Sequence, residues 1–555
     1  MGIVDTYGQL DTTQLPSVQI TDHKIVANGS NKQQQINLDS LNRLGRFNLG
    51  QVLQNNTGIF VKSYGGNGVA TLSFRGTGAN HTRVFWNNLD ISSPSLGLAD
   101  LSTLPALAFS DLNIQYGAAS LSDGSGALGG SLRLGNSLNF KNKFKLSLSQ
   151  IAGSFNQWQS ALQVGGSRKK WAYNTKVYRY QAANNFSFID ITEANQPTRK
   201  MRHSQFRQEG LMQEVLYRPK ANQRFSLKAW YNETARQLPP PITGNLARYD
   251  SLTDQQLSAI AQYQIGFSKI NLLMNSGFVG SRNAFFSVGD SSTSNNRFSS
   301  WQNNIRLAQT LSSWLKVDYG LRYRLDAVTS PAFTQKEQRH TSSFFSDFKA
   351  DISTRWSADF LLRQEFINNF TSPLMGAVGL VFKASSSQSF KLSLARNFRY
   401  PTLNDWFWQP GGNPNLKPEE SWQSEFNYQY KIGEAGTNPS FTFGFTLFTA
   451  LVDNWIQWVP IENYTGPKNL RKVQNTGLEF NHQGRWQWGA FKLSEQINYS
   501  YLRSQTAAVY GVGEKAQQLS YVPFQRASLG LGLSYKKWQV LYNQNFTDYY
   551  FTTAT

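Results

Sequence analysis

The chain of 555 residues contains no cysteine, which removes disulfide frameworks and thiolate metal sites while leaving the compartment open. Nor does any continuous apolar run reach the ~18 residues that a membrane-crossing helix requires. Histidine is scarce: His23, His81, His203, His340 and His482 are scattered, with no i,i+4 pair and no HExxH, so no local motif supports metal ligation. A Gly-x-Ser-x-Gly elbow and a paired-carboxylate motif are both missing, so hydrolysis has no footing, and neither enzymatic activity nor a cofactor is expected. The run Gly124-Ser125-Gly126-Ala127-Leu128-Gly129 satisfies G-x-G-x-x-G formally. It leads into GGSLRLG, which reads as a strand rather than a helix, and the dinucleotide context is lost. The N-terminus, MGIVDTYGQLD, lacks the charged-then-apolar pattern of a secretion signal.

What the chain does have is alternation and aromatics. From about residue 137 onward, segments repeat with a period of two, as in KFKLSLSQ, RFSLKAWY (Arg224 to Tyr231), SFKLSLAR (Ser389 to Arg396), FTFGFTLF (Phe441 to Phe448) and SLGLGLSY (Ser528 to Tyr535). In LKVDYGLRYRLD, Leu315, Val317, Tyr319, Leu321, Tyr323 and Leu325 share one face, and Lys316, Asp318, Gly320, Arg322, Arg324 and Asp326 the other. That apolar face is as long as a tilted membrane strand of about 9–11 residues needs. A mean hydropathy of −0.45 is compatible with this, because half of each barrel strand faces water. Aromatics at 14% suit the interfacial girdles of a barrel. The formal charge of +20 invites a nucleic-acid reading. Lys and Arg are spread along the whole chain rather than gathered in a stripe, so no nucleic-acid partner is expected; a basic lumen or rim would attract anionic solutes or lipid phosphates.

The organising stretch is Leu49 to Leu134. LGQVL reads as a short amphipathic helix ending at Asn55-Asn56. Short strands come next, with Ile59 and Val61, Leu72 and Phe74, and Val84 and Trp86 alternating. Gly65, Gly66, Gly68, Gly76 and Gly78 mark places where the backbone turns with positive φ or approaches another chain. Arg75 stands at a strand–glycine turn, where its planar fork can tie two loops together.

The run SFRGTGANHTRVFWNNLDI resembles the plug domain of TonB-dependent outer-membrane receptors, in particular the vitamin B12 transporter type. Arg75, Gly76, Thr77, His81, Val84, Gly117, Gly124, Gly126, Gly129 and Gly130 fall on the positions of its "IRGT-x-x-x-H-x-x-V" and "GS-x-AIGG" segments. Asn87-Asn88 replaces the usual Asp-Gly and still suits a tight turn. A second stretch, RNFRYPTLNDWFWQPGGNPNLKPEESWQSEFNYQY, is similar to the barrel signature of the same receptors. There Pro401, Gly412, Asn413, Pro414, Leu416, Lys417, Pro418, Glu419, Ser421 and Glu425 match.

The resemblance implies an all-β, antiparallel transmembrane barrel, about 22 strands in the family, with a small N-terminal α+β plug domain in its lumen. It divides the chain into an N-terminal segment (1–25), a plug (26–136) and a barrel (137–555). The last two or three strands are expected to be missing, because DYYFTTAT lacks the family's terminal aromatic strand. Leu15, Pro16, Ser17, Val18, Gln19, Ile20 and Thr21 form the candidate TonB box, an extended segment that a partner could grip by strand addition. Arg75, Gly76, Thr77, His81 and Arg83 are the candidate plug–barrel contacts or switch, Arg75 and Arg83 reaching carboxylates of the wall. Trp406, Phe407 and Trp408, in an outer loop, offer stacking surface to a planar ligand or anchor the loop at the membrane interface.

Short connections such as Gly165 to Lys170 are expected on the periplasmic side. Long ones, Gln237 to Gln256 and Asn463 to Gln474, are expected outside. The implied function is TonB-dependent uptake of a bulky, scarce nutrient (cobalamin, or an iron–siderophore or haem complex) across the bacterial outer membrane. The implied partners are TonB with its inner-membrane energising complex, outer-membrane lipid and lipopolysaccharide, the small-molecule nutrient and, as a further option, a surface lipoprotein. Two other readings stand beside it: a ligand-sensing outer-membrane receptor without transport, and a soluble basic β-rich carbohydrate- or nucleic-acid-binding protein.

Overall fold

The computed structural model describes residues 29–38, 48–63, 68–138, 140, 143–240, 249–287, 292–368, 370–433, 438–507 and 518–552. Its N-terminal part is a small plug. Strands β1 (Gln33–Asn37), β2 (Phe60–Ser63), β3 (Ala70–Ser73), β4 (Thr82–Trp86), β5 (Leu89–Asp90), β6 (Asp111–Tyr116) and β7 (Gly130–Gly135) accompany helix α1 (Leu49–Asn56). Helix α1 starts where Asn48 accepts a hydrogen bond from the Gln51 amide at 3.0 Å, a cap worth about 1 kcal/mol. Leu49, Val52 and Leu53 then fall on one buried face.

Five strands form the central sheet in the order β1-β6-β7-β4-β5, with β4 and β7 parallel, while β2 and β3 pair separately. Strand β4 is buried at every residue, so its alternation carries no polar face. The tight turn after it places Asn87 and Asn88 at φ +48° and +74°, conformations that asparagine tolerates. At Gly130 a side chain would bring its Cβ within 2.5 Å of the Gln115 carbonyl, so strand β6 can approach only a glycine there. Of the glycines expected to turn with positive φ, Gly76 does so (φ +80°), whereas Gly78 is extended (φ −69°).

Around the plug runs an antiparallel ladder closed into a barrel. Among the described residues it has nineteen long staves, from Lys145–Gly153 to Trp538–Thr547, plus the two-residue Phe370–Thr371. Because every registered junction is antiparallel and the number is odd, those first and last staves run in the same direction. The period-two pattern sorts side chains by solvent. Leu148, Leu227, Leu321 and Leu394 stand exposed on the outer wall, 55–75% accessible, as lipid-facing residues must be. The inner wall is polar because it meets the backbone of the plug. Gln208 donates to the Thr103 carbonyl (2.7 Å), Lys228 to that of Asn136 (2.6 Å), Gln302 to that of Asp90 (2.7 Å) and Gln423 to that of Leu128 (2.8 Å). Each such bond satisfies a carbonyl that would cost about 1–3 kcal/mol if buried alone. One side of the interface is apolar instead: Trp230 packs on Phe109 (5.2 Å) and Trp86 (5.7 Å).

The two ends of the barrel differ. At one, strands turn within a few residues, as at Lys169-Lys170 between Arg168 and Trp171. At the other, connections are longer, including Tyr400–Pro418 between Gln388–Arg399 and Glu419–Ile432. Two expected long loops are shorter than the sequence indicates. The strands flanking Gln237 to Gln256 extend to Leu238 and resume at Asp250. After the turn at Asn463 the stretch to Gln474 is strand, not loop: Tyr464–Trp488 pairs with Ser440–Ile461 up to Ile461 opposite Tyr464. Its Gly-Pro pair signals a turn locally. The neighbouring loop overrides that signal, Asn413 donating to the Pro467 carbonyl (3.4 Å) and the Lys417 amide to Asn469 (2.8 Å).

Candidate functional site

Arg75 occupies the turn between β3 and the segment leading to β4. It takes a left-handed conformation, φ +47°, followed by Gly76, and the Thr77 amide closes the turn on the Phe74 carbonyl at 2.9 Å. A non-glycine residue held there stores about 1–2 kcal/mol, and its guanidinium shows what offsets the strain. It projects out of the plug to Glu425 and Glu479 on the inner wall, with Nε and Nη2 at 3.0 and 2.9 Å from the Glu479 carboxylate and Nη1 on Glu425. The rings of Tyr116 (5.2 Å) and Phe448 (4.4 Å) flank its faces. Burial alone would lower its pKa; Glu425 and Glu479 more than reverse this, and Arg75 is held above its ordinary range. Burial likewise pushes the Tyr116 phenol up.

Lys32, immediately before β1, shares both carboxylates. Its ammonium lies 2.8 Å from Glu479 and its amide donates to Glu425 at 2.9 Å. Two cations and two anions therefore balance in a pocket where an unpaired charge would be costly. Two residues earlier, the Ser30 hydroxyl donates to Asp359 of the wall at 2.9 Å. The first described residues of the chain are thus pinned to the same wall as the Arg75 turn.

A second contact begins at His81. Its Nδ1 accepts from the Gly78 amide (2.9 Å), which places the proton on Nε2, 2.6 Å from Glu419. Glu419 also receives Arg399 (2.5 Å) and the Ile456 amide (2.6 Å). Arg399 continues to Asp405 at 3.5 Å, and Asp405 accepts from the Trp458 indole at 2.9 Å. Asp405 belongs to helix α2 (Leu403–Phe407) in the outer loop, whose Leu403 and Asn404 amides bond the Pro94 and Ser95 carbonyls of the plug. Loop and plug are therefore joined twice, by backbone and through a buried polar chain.

A third contact centres on Asp90 of β5, which pairs with Arg324 of the wall and lies 3.6 Å from Arg83. Burial would raise the Asp90 pKa, but Arg324 and Arg83 outweigh it and hold the carboxyl below its ordinary value. Burial pushes Arg83 down to about 10, with Arg324 and Arg339 acting the same way and Asp90 opposing.

The geometry sorts the sequence candidates. Arg75, Gly76 and His81 meet the wall directly, Gly76 through its carbonyl and Ser504 (3.4 Å). Thr77 bonds inward to the Phe74 carbonyl (2.7 Å). Arg83 was expected to reach wall carboxylates. It turns instead to the plug's own Asp90 and to the Ser125 carbonyl (3.0 Å), because β4 runs through the sheet interior. The aromatic trio also divides. Trp406 packs on Tyr400 (5.0 Å) and Phe407 on Phe333 (6.3 Å), whereas Trp408 stays 37% exposed. Leu15–Thr21 lies outside the described residues. Sequence reading missed Lys32, Asp90, Asp359 and Glu479. Glu479 left a trace, a carboxylate between Leu478 and Phe480 at an inward position of an alternating strand.

Between the plug loop at Ser93–Leu104, the inner wall and Trp408 lies a cavity of about 340 Å³. Its charged lining is two arginines, Arg236 and Arg297, and two aspartates, Asp100 and Asp254. Arg236 bonds both aspartates, at 2.7 and 2.6 Å. The rest is amide, hydroxyl and apolar, including Gln255, Gln256, Asn283, Leu96, Phe298 and Trp408.

A plug seated in the bore of an antiparallel barrel and tied to its wall by ion pairs is the architecture of a gated outer-membrane receptor. The chain belongs to the TonB-dependent receptor family, an outer-membrane family. It matches the family described as TonB dependent receptor-like, beta-barrel over residues 214–555, and the TonB-dependent Receptor Plug Domain over residues 26–131. It is 23% identical over 474 residues to the vitamin B12 transporter BtuB of Photobacterium profundum, covering 82% of this chain and 72% of that protein. Among solved structures it is similar to the FrpB iron transporter of Neisseria meningitidis (TM-score 0.76, 14% identity, 94% and 86% of the two chains). It is also similar to a double mutant of the Serratia marcescens hemophore receptor HasR bound to its hemophore HasA and heme (TM-score 0.75, 13% identity, 94% and 92%).

Proposed function

We propose that this protein takes up a bulky, scarce nutrient across the outer membrane, driven by TonB acting on the segment around Leu15–Thr21. The observation that carries the reading is the sharing of Glu425 and Glu479 between Lys32 and Arg75. A pull from the N-terminal side loads Ser30 and Lys32 first. Withdrawing Lys32 leaves two buried carboxylates with one cation, which weakens the hold on Arg75 and the turn it belongs to. The protein then binds and passes its solute without covalent chemistry.

Among cobalamin, ferric chelates and haem, the cavity beside Trp408, a vestibule above the plug, favours a cobalamin-type ligand. Its described charged groups cancel, whereas an anionic ferric chelate calls for a surplus of cations. Its described lining contains no histidine, tyrosine or methionine to ligate haem iron. Amides, hydroxyls and one exposed tryptophan suit an uncharged solute that is rich in hydrogen-bonding groups and has an apolar face.

The experiment is accumulation of labelled cyanocobalamin, a ferric tricatecholate and haemin in cells with and without TonB. TonB-dependent accumulation of cyanocobalamin is the expected result. Val18→Pro, which spoils strand addition, is expected to abolish uptake and leave binding to purified protein unchanged. TonB-independent accumulation, or none of any solute, refutes the transport reading.

A further inference from the structure

The formal charge of +20 has a location. Within three residues of the strand ends at the short-turn end, the described residues include fifteen exposed lysines and arginines and one exposed carboxylate, Asp351. Some turns consist of almost nothing else, as at Arg168-Lys169-Lys170 and Lys536-Lys537. At the opposite end, three of the exposed or half-exposed cations stand beside carboxylates: Arg199 with Asp190 and Glu193, Lys472 with Asp453, and Arg207 with Glu209 and Glu233. Among the described residues, exposed cations thus outnumber exposed carboxylates fifteen to one at the short-turn end.

The depth of this collar is set by the residues beside it. Immediately inside the turns, exposed aromatics ring the barrel, among them Trp171, Trp314, Trp356, Trp488, Phe491 and Trp538. Several stack across strands: Trp171 on Tyr217 (4.3 Å), Phe225 on Tyr263 (4.3 Å), Trp356 on Phe382 (4.5 Å) and Phe491 on Tyr535 (4.3 Å). Such a girdle sits at the boundary between hydrocarbon and headgroups. Cations one to three residues beyond it lie at the level of lipid phosphates, and short turns are the periplasmic end of such barrels.

We infer that the collar binds anionic phospholipid headgroups of the periplasmic leaflet and recruits them around the barrel. The inference is independent of which solute the vestibule takes. Each cation at a membrane surface contributes about 1 kcal/mol with an anionic lipid, so a lipid meeting one of them is favoured about fivefold. Electrostatic attraction at an exposed surface is screened by salt, which gives the interaction a signature that packing on the aromatic girdle lacks.

The test uses the whole protein reconstituted in bilayers with spin-labelled phosphatidylglycerol or phosphatidylcholine, measuring the relative association of each with the protein surface. The expected result is an approximately fivefold preference for phosphatidylglycerol at low salt that shrinks toward one in ~0.5 M NaCl. A sextuple variant (Lys170→Gln, Lys220→Gln, Lys269→Gln, Lys383→Gln, Lys492→Gln, Lys537→Gln) removes six of the fifteen cations and is expected to lower the preference from about fivefold to about threefold. The same six positions changed to Arg keep the full preference, which separates charge from damage to the fold. Equal association of the two lipids, insensitivity to salt, or full preference in the Gln variant would overturn the inference. So would retention of wild type, but not of the Gln variant, on purified cell-wall sacculi with no lipid preference, since that assigns the collar to the wall polymer.

Discussion

Arg75→Met tests the plug–barrel contact most directly. Methionine matches the length of the arginine stem but leaves Glu425 and Glu479, with side chains 6% and 11% exposed, to Lys32 and a few amide donors. Breaking a buried ion pair on one side costs about 3–5 kcal/mol, most of it the penalty of the stranded carboxylates. The left-handed backbone is strained for either residue, so that contribution cancels. Against a plug whose own stability is of order 5–15 kcal/mol, the loss is large. With a urea slope of ~1.5 kcal/mol per molar, it moves the midpoint of plug unfolding down by about 2–3 M. The assay is conductance of a planar bilayer holding the protein, which rises when the plug unfolds while the barrel persists. Arg75→Met/Glu425→Gln leaves one cation, Lys32, with one carboxylate, Glu479, and should recover most of the difference. A midpoint within ~0.5 M of wild type for the single variant, or a double variant as weak as the single, refutes the reasoning.

The remaining predictions use the same unfolding readout or direct binding. Asp90 has a folded pKa below its unfolded one, so its pairing with Arg324 stabilises the plug fully above about pH 4 and is lost as pH falls below that. The acid-induced drop in midpoint should therefore be smaller in Asp90→Asn, which is weaker at neutral pH. Gly130→Ala forces a methyl against the Gln115 carbonyl and should cost about 1–3 kcal/mol or more, opening the conductance at lower urea while leaving the barrel's heat-modifiable gel migration intact. Trp408→Ala should weaken solute binding at the vestibule by about tenfold, with little change in plug stability, whereas Trp406→Ala, which removes packing on Tyr400, should disturb the loop itself.

Much of this fold is legible in its residues taken in order. Period-two alternation established the strands of the barrel, because a wall with lipid on one side and polar groups on the other admits no other pattern, and LKVDYGLRYRLD shows both faces. The plug was legible through the family resemblance of SFRGTGANHTRVFWNNLDI, and the Arg75–Gly76 turn in it has a physical basis in the positive φ of both residues. Expectation and structure part where the signal is local but the cause is not. Gly466 and Pro467 look like a loop and lie in a strand supported by a neighbouring loop. Trp406 and Phe407 look available and are packed.

The partners of Arg75 were decided by the tertiary structure alone. Glu425 and Glu479 lie 350 and 404 residues further along the chain, and no local pattern links them to the turn or to Lys32. The same holds for charge: composition supplied an excess of cations, but only the alternation of short and long connections around a closed wall gathers them at one rim. Local conformation depends on neighbours in sequence and is legible there. Pairing across a bore depends on shear and register summed over many strands, and that sum exists only in the folded barrel.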